Sequence, residues 1–177
     1  MKYILPILLI CFTTVLSCKK LDKLTQFDLT YTSEATISAG IASNLPFDVF
    51  TPDVTTQSES EFKGHNTAKN LVQSIKLKKM LIAVTNPADR NLDFLKDIEL
   101  YISAEGEKEM RIAWKYNIPD TTGKEILLET GLEELKPYLI KEKYRIRLKV
   151  TTSKIMNTDI TVKLVSTFRV NANIMGI

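Results

Sequence analysis

Two long stretches near the end of the chain alternate apolar and polar residues, and this pattern limits the fold more than any other feature. In the first stretch every second residue is apolar: Tyr144, Ile146, Leu148 and Val150. The second stretch, residues 159–172, repeats the pattern with Ile160, Val162, Leu164, Phe168, Val170 and Ala172. A period of two places neighbouring side chains on opposite faces of a strand. We therefore predict two long antiparallel strands, each with one buried and one wet face.

Shorter runs with the same period occur earlier in the chain. They cover residues 27–32, 35–39, 75–84, 98–103 and 110–114. In the third run the apolar phase slips around Lys79 and Met80, which predicts a β-bulge because one extra residue moves every later side chain to the other face. The turn at Glu105-Gly106 joins the last two runs and predicts a hairpin.

Helical patterns are few and short. Thr67 is expected to cap a turn over residues 68–73, and residues 91–96 are expected to form a single helical turn. Residues 130–133 have the spacing of a capping box, and Pro137 keeps the helix that would follow short. Residues 54–62 fit either a polar edge strand or a loop.

About eight strands with one or two short helices, and no alternation of strands with long helices, disfavour a doubly wound parallel sheet. The chain is therefore predicted to be mainly β. Its expected architecture is an antiparallel β-sandwich of the immunoglobulin or fibronectin type.

The first residues have the composition of an export signal. Lys2 precedes a nearly uncharged apolar stretch, residues 3–16. This stretch is interrupted by Pro6 and followed by two lysines, so it is too short for a permanent membrane span of about 20 residues.

The stretch ends in Val15-Leu16-Ser17-Cys18, which resembles the lipobox of bacterial lipoproteins. The resemblance covers residues 1–18 only. It implies that signal peptidase cuts between Ser17 and Cys18, that the Cys18 thiol carries diacylglycerol, and that the new amino group can be acylated. Two or more acyl chains give stable anchoring, so the implied partner of this cysteine is a lipid bilayer.

Three segments follow from this interpretation. Residues 1–17 form the signal peptide, residues 18–26 a lipidated, lysine-rich tether, and residues 27–177 a single β-sandwich domain. The residue after Cys18 is Lys19, not the aspartate associated with inner-membrane retention, so the resemblance implies the outer membrane, on its periplasmic or surface side.

Charge and cysteine content narrow the choice of partners and cofactors. Removing residues 1–17 leaves 23 of the 24 basic residues against 21 acidic ones, without a concentrated basic tract, so we do not expect a nucleic-acid partner. Cys11 is lost with the signal peptide, and Cys18 then has no cysteine with which to form an intramolecular disulfide.

The residues that catalysis or metal binding would need are scarce. His65 is the only histidine, so a zinc or copper site of the usual histidine and cysteine ligands is not expected, and no G-x-S-x-G elbow is present. Asp89, Asp93 and Asp97 would share one face only if residues 89–97 were helical. The chain is predicted not to be an enzyme and to hold no cofactor or metal. A hydrolase using His65 or the three aspartates is the remaining alternative of that class.

Three aromatic residues lie in or near the predicted hairpin. Trp114 has the phase of Met110 and Ile112, so it is predicted to lie in the core. Tyr101 has the opposite phase to Leu100 and Ile102 in its run, and Tyr116 lies just beyond the second run; both are weak candidates for a ligand-binding face, although the simpler interpretation is a structural role.

The leading hypothesis is a non-enzymatic envelope lipoprotein, with a structural or assembly role, that contacts another envelope protein through a sheet edge or end loops. The alternative is a module that binds glycan or lipid at the cell surface.

Overall fold

The computed structural model describes residues 26–174. The predicted signal peptide, the Ser17–Cys18 cleavage site and the lipidated cysteine lie outside the described residues. The strands are β1 Gln26–Ile37, β2 Pro46–Phe50, β3 Val54–Thr55, β4 Val72–Asn86, β5 Leu95–Ser103, β6 Met110–Lys115, β7 Glu125–Leu127, β8 Glu129–Thr130, β9 Lys143–Thr152 and β10 Ile160–Ala172. The helices are α1 Ser58–Gly64 and α2 Lys136–Leu139, with a 3-10 turn at Lys69–Leu71.

The strands form two antiparallel sheets. Sheet A has the order β1-β10-β4-β7, and sheet B has the order β2-β9-β5-β6-β8, with β3 also pairing with β9. The buried side chains of both sheets belong to one hydrophobic core. The predicted fold, a mainly antiparallel β-sandwich with one or two short helices, is confirmed.

The two long alternating stretches form the centre of this core. In β9, Ile146, Leu148 and Val150 are each 0% exposed, and in β10 Leu164 and Phe168 are buried equally completely. Tyr31 and Phe168 of sheet A meet Tyr144 of sheet B, with ring centroids 6.0 to 6.2 Å apart. Aromatic pairs at this spacing contribute about 0.5–1.5 kcal/mol beyond the area they bury.

The predicted bulge in β4 is also present. Thr167 of β10 pairs with Lys79, whereas the next residue, Phe168, pairs with Leu77, so Lys78 is the extra residue. Leu77 and Met80 remain buried while both intervening lysines are exposed. The interruption of the apolar pattern at Lys78 and Lys79 is therefore caused by this bulge.

Two of the irregular segments differ from the prediction. Residues 54–62 form neither one edge strand nor a loop, because β3 is followed at once by α1. Residues 91–94 are not helical, and β5 begins at Leu95. Leu92 and Phe94 are both 0% exposed, so their burial in the core determines the path of this segment.

Both predicted helix caps are wrong. Thr67 donates its hydroxyl to the carbonyl of Asn173 and leaves the 3-10 turn uncapped. Thr130 pairs with Ala113 in sheet B, so it does not begin a helix. The helix begins later, with Pro137 in its first turn, where the missing N–H of proline costs nothing.

The sandwich has two ends. At the end that we call the Gln26 end, β1 begins, α1 and α2 pack, and residues 104–109 connect β5 to β6. At the far end lie residues 38–45, 87–94, 116–124 and 153–159. Within the described part of the chain, no helix is long and apolar enough to cross a membrane.

Candidate functional site

The single histidine has a packing role at the Gln26 end. The His65 ring stacks on Phe27 with centroids 3.9 Å apart and an angle of 13° between the planes. Phe27 also meets the buried Phe62 of α1 edge-on, at 6.3 Å. Within residues 26–174 no group forms a hydrogen bond with the imidazole. His65 therefore helps to fix the first residues of β1 against α1.

The three aspartates do not form a cluster. Asp93 forms an ion pair with Lys154, and the Asp97 carboxylate accepts a hydrogen bond from the Asn117 amide at 2.9 Å. Asp89 is exposed in the loop before β5. The helix that would align them is absent because Asp97 belongs to β5. Among the described residues, no group of three or more histidine, cysteine, aspartate or glutamate side chains is placed to hold a metal ion.

Tyr101 and Tyr116 do share a face. In β5, Ile98, Leu100 and Ile102 point into the core, so Tyr101 lies on the outer face of sheet B. Tyr116 follows β6 directly and is 42% exposed on the same side. The alternation in β5 therefore placed Tyr101 correctly, whereas Tyr116 has the phase of Ile112 and Trp114, which alternation alone assigns to the core.

Trp114 joins them, and its predicted core position is wrong. Leu100 pairs with Ala113 but Tyr101 pairs with Arg111, so Ile112 is an extra residue in β6. Ile112 and Ala113 are both buried, and the phase reverses after them. Trp114 consequently lies on the outer face, opposite Glu99, where its indole Nε1 donates to Glu129 at 3.0 Å.

Arg111 connects the three aromatic residues. Its guanidinium carbon lies 4.6 Å from the centroid of the Trp114 ring. One of its nitrogens donates to the Tyr116 hydroxyl at 3.0 Å and lies 3.6 Å from the Glu99 carboxylate. The Tyr101 hydroxyl donates to that same carboxylate at 2.5 Å.

A second arginine, Arg147 of β9, covers the other side of this surface. It donates twice to Glu109, at 2.8 and 2.6 Å, and once to Asp48 of β2, at 2.6 Å. Its guanidinium carbon lies 4.2 Å from the centroid of the Tyr101 ring. These contacts join β2, β9 and the β5–β6 hairpin on one outer face. We call Tyr101, Trp114, Tyr116, Arg111 and Arg147 together the aromatic–arginine face.

The charges of this face are fixed near neutral pH. The Glu99 side chain is only 17% exposed, and the hydrogen bond from Tyr101, with Lys149 and Arg111 nearby, lowers the pKa of Glu99. Its carboxylate, together with burial, raises the pKa of Tyr101. Glu99 thus stays ionised and Tyr101 stays a hydrogen-bond donor, which keeps the face preorganised.

The face combines aromatic rings, guanidinium groups and exposed apolar surface. Tyrosine, tryptophan and arginine are enriched at the energetic centres of protein interfaces. One face of Tyr101 and one face of Trp114 are already covered by guanidinium groups. Phe50, which pairs with Arg147 and is 57% exposed, adds apolar surface at the β2 edge.

An open groove of about 580 Å³ lies elsewhere, beside α1. Its lining runs from Thr55 to Ser60 and includes Lys63, Lys69 and Glu142. None of the three aromatic residues contributes to it, and its lining residues are all polar or charged. The groove is therefore separate from the aromatic–arginine face.

Comparison with known proteins gives distant likenesses only. No family model and no curated protein matches the chain. Among solved structures, CpGH89CBM32-5 from Clostridium perfringens, in complex with GalNAc-β-1,3-galactose, is similar with 9% identity and a TM-score of 0.37, over 81% of this chain and 97% of that one. Desmodium yellow mottle tymovirus is similar with 9% identity and a TM-score of 0.31, over 86% of this chain and 91% of that one.

A structure of carbohydrate-binding modules from the β-sandwich superfamily is similar with 11% identity and a TM-score of 0.28, over 87% of this chain and 58% of that one. At these identities and TM-scores the likenesses carry no argument about function.

Proposed function

We propose that this chain is a bacterial envelope lipoprotein whose non-enzymatic β-sandwich binds another envelope protein through the aromatic–arginine face. Lipid on Cys18 would hold it to the outer membrane. The observation that carries the contact role is the set of three aromatic and two arginine side chains joined on one outer sheet face.

The anchor is supported by the residues that precede the domain. Ser17 and Cys18 end an apolar stretch in the order that a lipobox requires. Cys18 is the only thiol left after cleavage, so lipidation competes with no disulfide. The sandwich begins at Gln26, which leaves a short tether between lipid and domain.

Preorganisation supports the contact role. A partner that binds a face whose long side chains are already ordered loses less conformational entropy on association. Arg147 is already ordered by three hydrogen bonds to Glu109 and Asp48, and its side chain is 17% exposed. Tyr116 and Phe50 provide the exposed aromatic area that a partner would bury.

Co-purification from solubilised envelopes tests the contact. Detergent-solubilised protein should recover a specific partner, and Tyr116→Ala or Phe50→Ala should reduce its recovery at least about tenfold, as expected for a residue at the centre of an interface. Leu132→Ala is the matched control, because Leu132 is 82% exposed but lies outside this face. Equal recovery with all three variants would remove the face from the proposal.

Glycan binding is the second candidate, favoured by the three aromatic rings on one face. It predicts binding on a glycan array that Tyr101→Ala and Tyr116→Ala abolish. Because a sugar that stacked on the covered side of Tyr101 would displace Arg147, the glycan proposal also predicts that Arg147→Ala strengthens or preserves binding. The protein-contact proposal predicts that Arg147→Ala weakens partner recovery and that the array is blank.

The anchor has its own test. Wild-type protein should incorporate an alkyne-tagged fatty acid, and Cys18→Ala should abolish the label and leave uncleaved precursor. Lys19→Ala is the control, since it preserves the cysteine and should still be labelled. Label that persisted in Cys18→Ala would refute lipidation at this position.

A further inference from the structure

The length of the tether limits which part of the domain can meet the bilayer. Residues 18–25 are eight residues, which span at most roughly 26 to 29 Å when fully extended. They end at Gln26, where β1 begins at the edge of sheet A. The twelve residues of β1 extend about 36 Å from there, so the far end lies beyond the reach of the tether in an upright domain.

The outer face of sheet A at the Gln26 end is rich in lysine. Lys76 and Lys79 of β4 pair with Arg169 and Thr167 of β10, and all four side chains point away from the core. The bulge adds Lys78, so two consecutive residues of one strand present ammonium groups on this side. We call Lys76, Lys78, Lys79 and Arg169 the lysine face.

Carboxylates at this end leave much of that charge uncompensated. Asp28 of β1 forms ion pairs with both Lys78, at 2.6 Å, and Arg169. Among the described residues, Lys76 and Lys79 have no carboxylate within 4.0 Å. The neighbouring Glu134 accepts hydrogen bonds from the backbone amides of Ile75 in β4 and Lys136 in α2.

The tether carries positive charge of its own. It contains Lys19, Lys20 and Lys23 against one acidic residue, Asp22. The part of the sheet that the tether holds near the membrane and the tether itself therefore have the same sign of charge. An anionic surface is the complementary partner.

We propose that the lysine face lies against anionic lipid headgroups of the bilayer that holds the acylated Cys18. The inference rests on the proposed function, because it requires the lipid anchor. It also specifies an orientation: sheet A faces the bilayer, so sheet B and its aromatic–arginine face point away from the membrane, where a partner protein can reach them.

The strength of the attraction between the lysine face and an anionic bilayer follows from the number of its positive charges. Each lysine or arginine near an anionic bilayer surface favours the associated state by about fivefold, and the effect decays within a Debye length of about 10 Å at 0.1 M salt. Such an interaction is too weak to hold the domain to a membrane by itself. It is sufficient to orient a domain that a lipid anchor already holds there.

Spin labelling of the reconstituted lipoprotein tests this orientation. The protein is placed in vesicles of phosphatidylcholine alone or with about one third phosphatidylglycerol, and a nitroxide is attached at Thr167→Cys in sheet A or Thr151→Cys in sheet B. The acylated Cys18 leaves the introduced cysteine as the only reactive thiol. Collision of the nitroxide with nickel-chelating lipid then measures how close each sheet lies to the bilayer.

The label at residue 167 should collide several-fold more often in vesicles with phosphatidylglycerol, and 0.5 M salt should abolish the difference. Lys79→Glu should reduce the effect at least about fivefold. Lys124→Glu, the same charge change in the far-end loop before β7, should leave it intact. Equal collision rates at both labels, or equal effects of the two lysine variants, would overturn the inferred orientation.

Flotation separates this inference from the proposed anchor. The lipidated protein should float with phosphatidylcholine vesicles whether or not Lys79 is replaced. Protein that fails to float and carries no acyl mass on Cys18 would overturn the anchor, and the orientation with it. Protein that floats but shows no preferred face would overturn the orientation alone.

Discussion

Asp28 connects the strand that follows the tether to the rest of sheet A, and its replacement should weaken the domain in a pH-dependent way. Its carboxylate accepts from Arg169 of β10 and from Lys78 of β4, so one residue of the edge strand binds the next two strands. The hydrogen bond from Arg169, with Lys78 nearby, lowers the pKa of Asp28 from 3.8 to about 2.

The size of the effect follows from that shift. One pKa unit corresponds to about 1.4 kcal/mol, so the shift gives an upper bound of about 2.5 kcal/mol. Because the side chain is 32% exposed, solvent screening reduces this to roughly 1–1.5 kcal/mol. A folded-state pKa below the unfolded value stabilises the protein above about pH 4. The contribution falls as the pH decreases and is largely lost by about pH 2.

Urea unfolding of the wild type and Asp28→Asn at pH 7 and pH 3 measures this difference. At pH 7 the variant should lose roughly 1–1.5 kcal/mol of unfolding free energy, and at pH 3 about half of that. Glu34→Gln is the control, since Glu34 is an exposed carboxylate of the same strand without a recorded ion pair, and it should change stability by less than about 0.5 kcal/mol. A loss that did not depend on pH, or no loss at pH 7, would refute the argument.

Three further predictions concern the core and the outer face of sheet B. Phe168→Ala should lower the unfolding free energy by about 3–5 kcal/mol in urea, because this side chain is 0% exposed between two tyrosines; a loss below 1 kcal/mol would contradict the aromatic core. Trp114 is the only tryptophan, so acrylamide should quench the native fluorescence, whereas a shielded indole would contradict its outward position. Arg147→Met should cost about 1–2 kcal/mol, read as a melting temperature lower by a few degrees, and an unchanged melting temperature would show that its ion pairs contribute no stability.

The strands could be predicted where burial alone decides the pattern. In β9 and β10 nearly every inward residue is apolar, with Thr152 and Ser166 the buried polar exceptions, so alternation marks the strand and its buried face together. The bulge in β4 was also visible, because two lysines stand between Leu77 and Met80 and interrupt the apolar phase. The same reasoning placed Tyr101 on the outer face of sheet B.

The bulge in β6 does not interrupt the apolar pattern of the sequence. Ile112 and Ala113 are both buried, and an alanine fits either side of a strand, so the reversal of phase at Trp114 was hidden. The burial of Leu92 and Phe94 was missed because an irregular segment has no period.

The partners of Arg147 lie in β2 and in the turn before β6, 99 and 38 residues away in the chain. Contacts between such distant residues depend on strand order, which alternation does not determine. The outward position of Tyr101 was thus predictable, but the charged network that fixes the face was not.

The contact role of the aromatic–arginine face is tested most directly by site-specific photo-crosslinking in intact cells. Benzoylphenylalanine would replace Tyr116, which is 42% exposed on this face, or Ile155, which is 59% exposed in the far-end loop. The account predicts one discrete adduct from position 116, lost when Arg111→Ala or Phe50→Ala is added, and none from position 155. The same adduct from both positions, or one from position 116 that both added substitutions leave unchanged, would contradict it.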